Sequence, residues 1–179
     1  MFPADGEPAD VGLDDPNALP FKLTISCVNF GQSAEFQRTL FFSIDQPSRC
    51  NTFEGAATDS NRIDHSSRPL PDRPRLLGAF VEGQLQGLVE FCRTGVPGHS
   101  EVAFVVAPHW RRKGLGWALL RGAMRFGLQA HARSIRMVFS RTNWPMRKIA
   151  RKTNAQLDLA LDQIHAIVAL TSLHNERCH

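Results

Sequence analysis

The sequence predicts a single α/β domain, and three observations indicate this class. The chain has 179 residues, a length typical of one domain that buries a two-layer core without disulfides or metals. Several short segments alternate apolar and polar residues, which is the pattern of half-buried strands. A longer segment after Gly114 carries apolar residues at helical spacing. No internal repeat is present, so these elements belong to one domain.

The N-terminal part predicts an acidic leader, a strand and a helix. Residues 1–20 contain acids and prolines but no lysine or arginine, so we expect a flexible leader. Phe21 to Val28 alternates apolar and polar residues and predicts the first strand. Ser33 is a suitable N-cap for a helix that reaches about Ser43.

The next part predicts a long loop and a hairpin. Residues 45–74 are rich in Ser, Asn, Pro and Asp, with a second helix expected near Asn51 to Ala57. Leu76 to Glu82 and Leu85 to Arg93 then predict two strands that turn at Gly83-Gln84.

The C-terminal half predicts the remaining elements. A helix should run from about Gly114 to His131, with an apolar stripe of Leu115, Leu119, Gly122 and Phe126 on the sheet. The other expected elements are strands at Glu101–Ala107 and Ile135–Ser140, a helix that begins after Asn143, and an antiparallel pair at Gln156–Leu161 and Ile164–Leu170. We therefore expect one domain over residues 21–172 and a polar tail over 173–179.

A basic glycine loop connects the strand that starts at Glu101 to the helix that follows. It reads Arg111-Arg112-Lys113-Gly114-Leu115-Gly116-Trp117. Glycines let peptide N–H groups approach phosphate oxygens, and a helix N-terminus presents unpaired N–H groups to an anion. The loop therefore predicts a polyphosphate site.

Two other phosphate-binding loops do not fit this stretch. A P-loop requires Gly-Lys-Ser/Thr, whereas Gly116 is followed by Trp117 and Ala118. The dinucleotide fingerprint requires a third glycine and an acid about twenty residues further on, and no acid lies between Glu101 and Asp158.

The loop resembles the Arg/Gln-x-x-Gly-x-Gly/Ala acyl-CoA loop of the GNAT superfamily of N-acetyltransferases. A later segment resembles that superfamily's second CoA-proximal helix, which typically opens with Asn and ends in Lys-x-Gly-Phe. Here it opens at Asn143, and Asn154-Ala155 replaces the Gly-Phe ending. The resemblance covers about residues 75–170, and it is closest to the bacterial protein-lysine acetyltransferase type.

The resemblance implies a mixed, mostly antiparallel sheet flanked by helices, with acetyl-CoA as co-substrate and no metal. It implies that the loop from Arg111 to Trp117 holds the cofactor's phosphates. It also implies that main-chain groups of Phe104, Val105 and Val106 bind pantetheine, and that Asn143 reaches it too. The acceptor would be a primary amine of a small molecule or a protein.

Acetyl transfer to an amine needs a base, and Glu101 is the first candidate. The superfamily often has a Glu near this place, and Ala103 and Val105 follow on the same strand face, so we expect an apolar setting. Glu90 on the neighbouring strand is the rival. The superfamily's general acid is often a Tyr at the position of Ala150, but the chain has no Tyr. Candidate replacements are Ser140, Thr142, Cys92 or water.

Charge and cysteine usage decide which other functions stay open. Residues 102–157 contain many cations and no acid, which indicates a polyanionic partner, and CoA is sufficient. A CoA-binding sensor is the first alternative function, and a nucleic-acid-binding module is a weaker one because it gives the glycine loop no purpose. Scattered cysteines and the lack of a long apolar run predict a cytoplasmic protein without membrane contact. A homodimer is left open.

Overall fold

The computed structural model describes residues 22–28 and 75–170. This part contains a seven-stranded sheet and two α-helices. The expected leader, the helices near Ser33–Ser43 and Asn51–Ala57, and the polar tail lie outside the described residues. The elements are β1 (Leu23–Val28), β2 (Arg75–Val81), β3 (Gln84–Arg93), β4 (His99–Val106), α1 (Leu115–Gln129), β5 (Ser134–Ser140), α2 (Trp144–Lys152), β6 (Gln156–Ala160) and β7 (Gln163–Ala169).

The sheet is mixed and mostly antiparallel, as predicted. Its strand order is β1-β2-β3-β4-β5-β7-β6. The pairing of β4 with β5 is parallel, and every other neighbouring pair is antiparallel. The single parallel pair therefore lies in the middle of the sheet, with α1 as its crossover connection.

The β2–β3 hairpin turns one residue earlier than the sequence predicted. Glu82 and Gly83 occupy the turn with φ values of 51° and 81°, and Gln84 already pairs with Val81. Two successive residues with positive φ are typical of a type I′ turn, whose twist matches that of the flanking strands. Gly83 tolerates this geometry at the second turn position.

Helix α1 covers one face of the sheet with the predicted apolar stripe. Leu115 and Leu119 are fully buried, and Gly122 and Phe126 are buried with them. Across the sheet, every second residue of β4, β5 and β7 joins the same core, including Val102, Ile135 and Ile164. A smaller apolar cluster of Leu76, Leu88, Val105 and Ala107 lies separately from this core.

Helix α2 begins as the sequence predicted. The side chain of Asn143 accepts a hydrogen bond from the Met146 N–H at 3.2 Å, which caps the helix, and Pro145 lies in its first turn. Asn154 follows the helix with a φ of 52°, the left-handed conformation that commonly ends a helix and that Asn tolerates better than most residues. No helix in the described residues is long and apolar enough to cross a membrane.

Candidate active site

A cleft opens in the middle of the sheet where β4 and β5 stop pairing. The two strands pair only at His99–Ser134, Ser100–Ile135 and Glu101–Arg136, although β4 continues to Val106 and β5 to Ser140. Beyond Glu101 a cleft of about 730 Å³ takes the place of the pairing, and both strands line it. The cleft is therefore closed at Glu101 and open toward the glycine loop.

The peptide groups of alternate β4 residues face this cleft. Ser134 N–H donates to the carbonyl of Gly98 on the β5 side, whereas Ala107 N–H donates to Gln86 on the β3 side. Since peptide groups alternate along a strand, those of Val102, Phe104 and Val106 point toward β5. The carbonyl of Val106 accepts a hydrogen bond from Arg111 Nε at 3.2 Å, consistent with that direction.

Most of the predicted cofactor-binding residues line the cleft. They are Phe104, Val105, Val106, Arg111, Arg112, Gly114, Gly116, Trp117 and Asn143. Lys113 and Leu115 do not line it: Lys113 Nζ lies 4.7 Å from the centre of the Trp110 ring, and the Leu115 side chain is fully buried in the core. By strand alternation, the peptide groups of Val105 face β3 rather than the cleft.

The glycine loop has the backbone geometry of a tight turn. Arg112 and Gly114 have φ values of 63° and 91°, and Gly114 is the N-cap of α1. The first intrahelical bond runs from Ala118 N–H to the Gly114 carbonyl at 3.0 Å. The preceding N–H groups of the first turn thus have no acceptor within the helix, which favours an anion at this point.

Helix α2 supplies cleft residues that the sequence did not single out. Lys148 and Lys152 line the cleft one helical turn apart, and Lys152 Nζ lies 5.5 Å from the centre of the Trp117 ring. Trp144 also lines it and is 61% exposed, with Arg147 stacked over its ring at 4.4 Å. The spacing of the two lysines is visible in the sequence, but only the fold brings α2 to the loop.

Glu101 lies at the closed end of the cleft, outside its lining, and its setting is not apolar as expected. Its Oε2 accepts two hydrogen bonds from Arg136, from Nη2 at 2.5 Å and from Nε at 3.1 Å. The side chains are 45% exposed for Arg136 and 40% for Glu101. Arg136 was missed because 35 residues separate the partners and only the parallel pairing places them side by side.

Glu90 and Cys92 share a sheet face with Glu101. Cys92 pairs directly with Glu101, and Glu90 pairs with Ala103, so all three side chains project to the same side of the sheet. Glu90 and Glu101 are therefore diagonal neighbours on adjacent strands. Both carboxylates thus project from one sheet face, near the level at which β4–β5 pairing ends.

The candidate replacements for the missing Tyr occupy two different places. Ala150 is fully buried and does not line the cleft. Thr142 lines the cleft and its hydroxyl lies 2.9 Å from that of Ser140. Ser140 follows Arg136 by four residues, or about 13 Å along β5. Cys92 lies instead at the closed end, opposite Glu101.

The described residues contain no group of three or more His, Cys, Asp or Glu side chains that could hold a metal ion.

The sequence profile of the acetyltransferase (GNAT) family matches residues 41–152. Because the match spans more than half of the chain, the protein belongs to this family. It is accordingly an acyl-CoA-dependent N-acetyltransferase, and the family uses acetyl-CoA. No curated protein matches the sequence.

Solved structures share the fold at low sequence identity. The GNAT domain of S. lividans PAT has a TM-score of 0.69 at 15% identity, covering 83% of this chain and 90% of its own. The ribosomal-protein-S18-alanine N-acetyltransferase from Escherichia coli has a TM-score of 0.63 at 12% identity, covering 88% of this chain and 99% of its own. The protein yncA from Salmonella typhimurium, whose structure includes its cofactor acetyl-CoA, has a TM-score of 0.60 at 13% identity, covering 87% and 99%.

Proposed function

We propose that this protein transfers the acetyl group of acetyl-CoA to a primary amine, with the cofactor arm between β4 and β5. The observation that carries the proposal is the end of β4–β5 pairing at Glu101, where the cleft begins. An extended pantetheine arm would occupy the place of a strand and hydrogen-bond to the peptide groups of Phe104 and Val106. The thioester would then lie at the closed end of the cleft.

The open end of the cleft has the chemistry that the cofactor's phosphates require. Arg111, Arg112, Lys148 and Lys152 line it, and the first turn of α1 directs peptide N–H groups toward the same region. The walls nearer the closed end are apolar and include Val102, Phe104 and Met137. This polarity gradient matches a ligand with an anionic head and a thinner, mainly neutral arm.

At the closed end we assign proton removal to Glu101. The neutral amine attacks the thioester carbonyl, its nitrogen proton passes to the carboxylate directly or through one water, and the thiolate leaves as the carbonyl re-forms. Arg136 donates hydrogen bonds to Oε2 of Glu101 alone, and no described residue donates to Oε1. That second oxygen is therefore placed to receive the proton. A peptide N–H on the cleft side of β4 would stabilise the oxyanion.

Glu90 is the alternative base. It projects from the same sheet face, and its partner across the strands is Ala103, which lines the cleft. The register places its Cα beside a residue that lines the cleft, whereas Glu101 lies one step outside. The two assignments differ in which carboxylate the rate depends on, so paired substitutions separate them.

The missing Tyr raises the alternative that the protein binds CoA as a sensor without catalysing transfer. We propose that the thiolate leaves without a tyrosine, protonated by Cys92 or by water at the closed end, because Ser140 and Thr142 lie near the open end. A positioned acid contributes roughly 10²- to 10⁴-fold to a rate, so a slow enzyme remains an enzyme.

Two measurements test the proposal. A thermal shift on adding acetyl-CoA reports cofactor binding, since a ligand that binds only the folded state stabilises it. Release of free thiol from acetyl-CoA in the presence of a panel of amines, including lysine peptides, polyamines and amino sugars, reports transfer. Binding without thiol release for any amine would favour a sensor, and absence of binding would reject the cofactor assignment.

Three further expectations from the sequence also stand as proposals. The acetyltransferase domain spans residues 21–172 between an acidic leader and a polar tail. The protein works in the cytoplasm. The acceptor is selected by the two expected N-terminal helices and by residues 45–74, which lie outside the described part. A homodimer stays open.

A further inference from the structure

We propose that the protein's own acidic leader, residues 1–20, binds the exposed cations at the open end of the cleft and competes there with the cofactor's phosphates. This inference rests on the proposed function, because it takes the glycine loop and α2 as the phosphate site. It adds a second, intramolecular ligand for the same surface.

The charges of the two segments are complementary. The charged side chains of the leader are all acidic, at Asp5, Glu7, Asp10, Asp14 and Asp15. The basic surface comprises Arg112, Lys113, Lys148 and Lys152, all of which are exposed and none of which has an ion pair among the described residues. A surface of one sign raises the local concentration of the opposite sign. Residues 102–157 contribute no acid that would neutralise it.

The leader precedes the end of β1 that lies at the same edge of the sheet as the glycine loop. Leu23, the first residue of β1, pairs with Val81, and Val81 pairs with Gln84 at the start of β3. Gln86, two residues further along β3, accepts from Ala107 N–H at the end of β4. The chain therefore enters β1 at the same sheet edge from which the glycine loop leaves β4.

The distance between these two points is short for a segment of this length. Three strand spacings separate β1 from β4, or roughly 14 Å across the sheet. A twenty-residue segment spans up to about 66 Å when extended, so the leader reaches the loop and α2 without strain. Tethering at this range corresponds to an effective concentration on the order of millimolar, so weak carboxylate–cation pairing suffices for competition.

Two other acids, among residues 22–28 and 75–170, lie at this end of the sheet. Glu82 lies in the β2–β3 turn, and Asp162 lies in the β6–β7 turn, where its carbonyl accepts from Arg141 N–H. Each is one charge fixed in a turn, whereas the leader carries several on a tether. The leader therefore carries more acidic charge than the described residues offer at this end of the sheet.

Zero-length carbodiimide cross-linking of the full chain tests the contact itself. The reagent joins carboxylates to lysine amines that touch, and tryptic mass spectrometry locates the product. We expect cross-links from leader acids to Lys113, Lys148 or Lys152, with yields that fall when CoA or about 0.5 M salt is added. Absence of these cross-links, or yields that CoA leaves unchanged, would overturn the proposal.

A full-length variant with all five leader acids changed to amides tests the competition. We expect CoA to bind this variant about three- to tenfold more tightly than the unmodified chain at roughly 20 mM salt, and equally at about 0.5 M. The control changes Asp158 and Asp162 to Asn and should leave the affinity nearly unchanged. In an Arg112→Gln/Lys113→Gln background, the effect of neutralising the leader should largely disappear.

The outcomes distinguish this inference from the proposed function. If CoA binds the unmodified and leader-neutralised chains equally at low salt, the leader does not compete and the cofactor assignment stands. If CoA binds neither chain, the cofactor assignment fails, and the salt-sensitive cross-links alone decide whether the leader contacts the basic surface.

Discussion

The two halves of β4 differ in their neighbours: one half pairs on both sides within the sheet, and the other half lines the cleft. From His99 to Glu101 it pairs on both sides, with β3 and with β5. From Val102 to Val106 it pairs with β3 alone, and the β5 side becomes the cleft. Its even-numbered side chains, including Val102 and Phe104, stay in the core throughout. The open half can therefore present peptide groups to a ligand without weakening the core.

The boundary between the halves is where we propose that the chemistry takes place. Glu101 and Arg136 form the last pair before the strands part, and their side chains join in an ion pair. The Glu101 carboxylate therefore lies between the paired part of β4 and β5 and the cleft. The predictions below test whether binding and chemistry divide at this boundary.

The largest effect should come from Glu101→Gln. The amide keeps the size of the side chain but cannot take the amine proton, so kcat should fall by about 10²-fold or more while acetyl-CoA affinity changes little. Steady-state kinetics with the best amine of the panel, together with cofactor titration, provide the measurement.

Glu90→Gln is the matched control on the same sheet face. It should retain most of the activity if Glu101 is the base. The reverse pattern, with Glu90→Gln inactive and Glu101→Gln active, would move the base to β3 and leave Glu101 as a partner of Arg136.

Gly116→Val should weaken acetyl-CoA binding by at least about tenfold, because the cofactor's phosphates must approach the backbone of the glycine loop closely. A Cβ at Gly116 would lie 3.1 Å from Ile149 Cδ1, the flexible end of a side chain, so the fold can adjust. Calorimetric titration measures the affinity. Gly95→Val is the control, because nothing lies within 4 Å of a Cβ at that position. Unchanged affinity in Gly116→Val would reject the loop as the cofactor site.

Hydrogen exchange compares the halves of β4 directly. Without cofactor, the amides of Ser100 and Val105 should exchange slowly, since β5 and β3 pair with them, while those of Phe104 and Val106 exchange faster. Acetyl-CoA should slow the latter pair by about tenfold or more and leave Ser100 nearly unchanged. Protection of Val105 alone would mean that the arm does not lie along β4.

The local parts of the site could be predicted from the sequence, and its long-range contacts could not. The loop from Arg111 to Gly116 and the cap at Asn143 depend on neighbouring residues, so the pattern indicates them. Arg136 and Lys152 act through contacts with Glu101 and Trp117, which are distant in sequence and become neighbours only when the sheet forms. The prediction of an apolar setting for Glu101 was wrong for that reason. The spacing of residues along β4 predicts its neighbours on that strand, but it does not predict which residue lies opposite on β5.

The smallest effect should come from Arg112→Ala, and its salt dependence matters more than its size. Arg112 is exposed at the open end, so it should act on the phosphates through screened charge rather than packing. Acetyl-CoA affinity should fall about fivefold at roughly 20 mM salt and less than about twofold at 0.5 M, where the Debye length is only a few ångströms. Arg125→Ala is the control: it removes the same charge from α1 about 14 Å along the helix from Gly116, and should have little effect at either salt concentration. An equal loss at both salt concentrations would mean that Arg112 supports the conformation of the glycine loop by packing. Its positive charge would then contribute little to the binding of the phosphates.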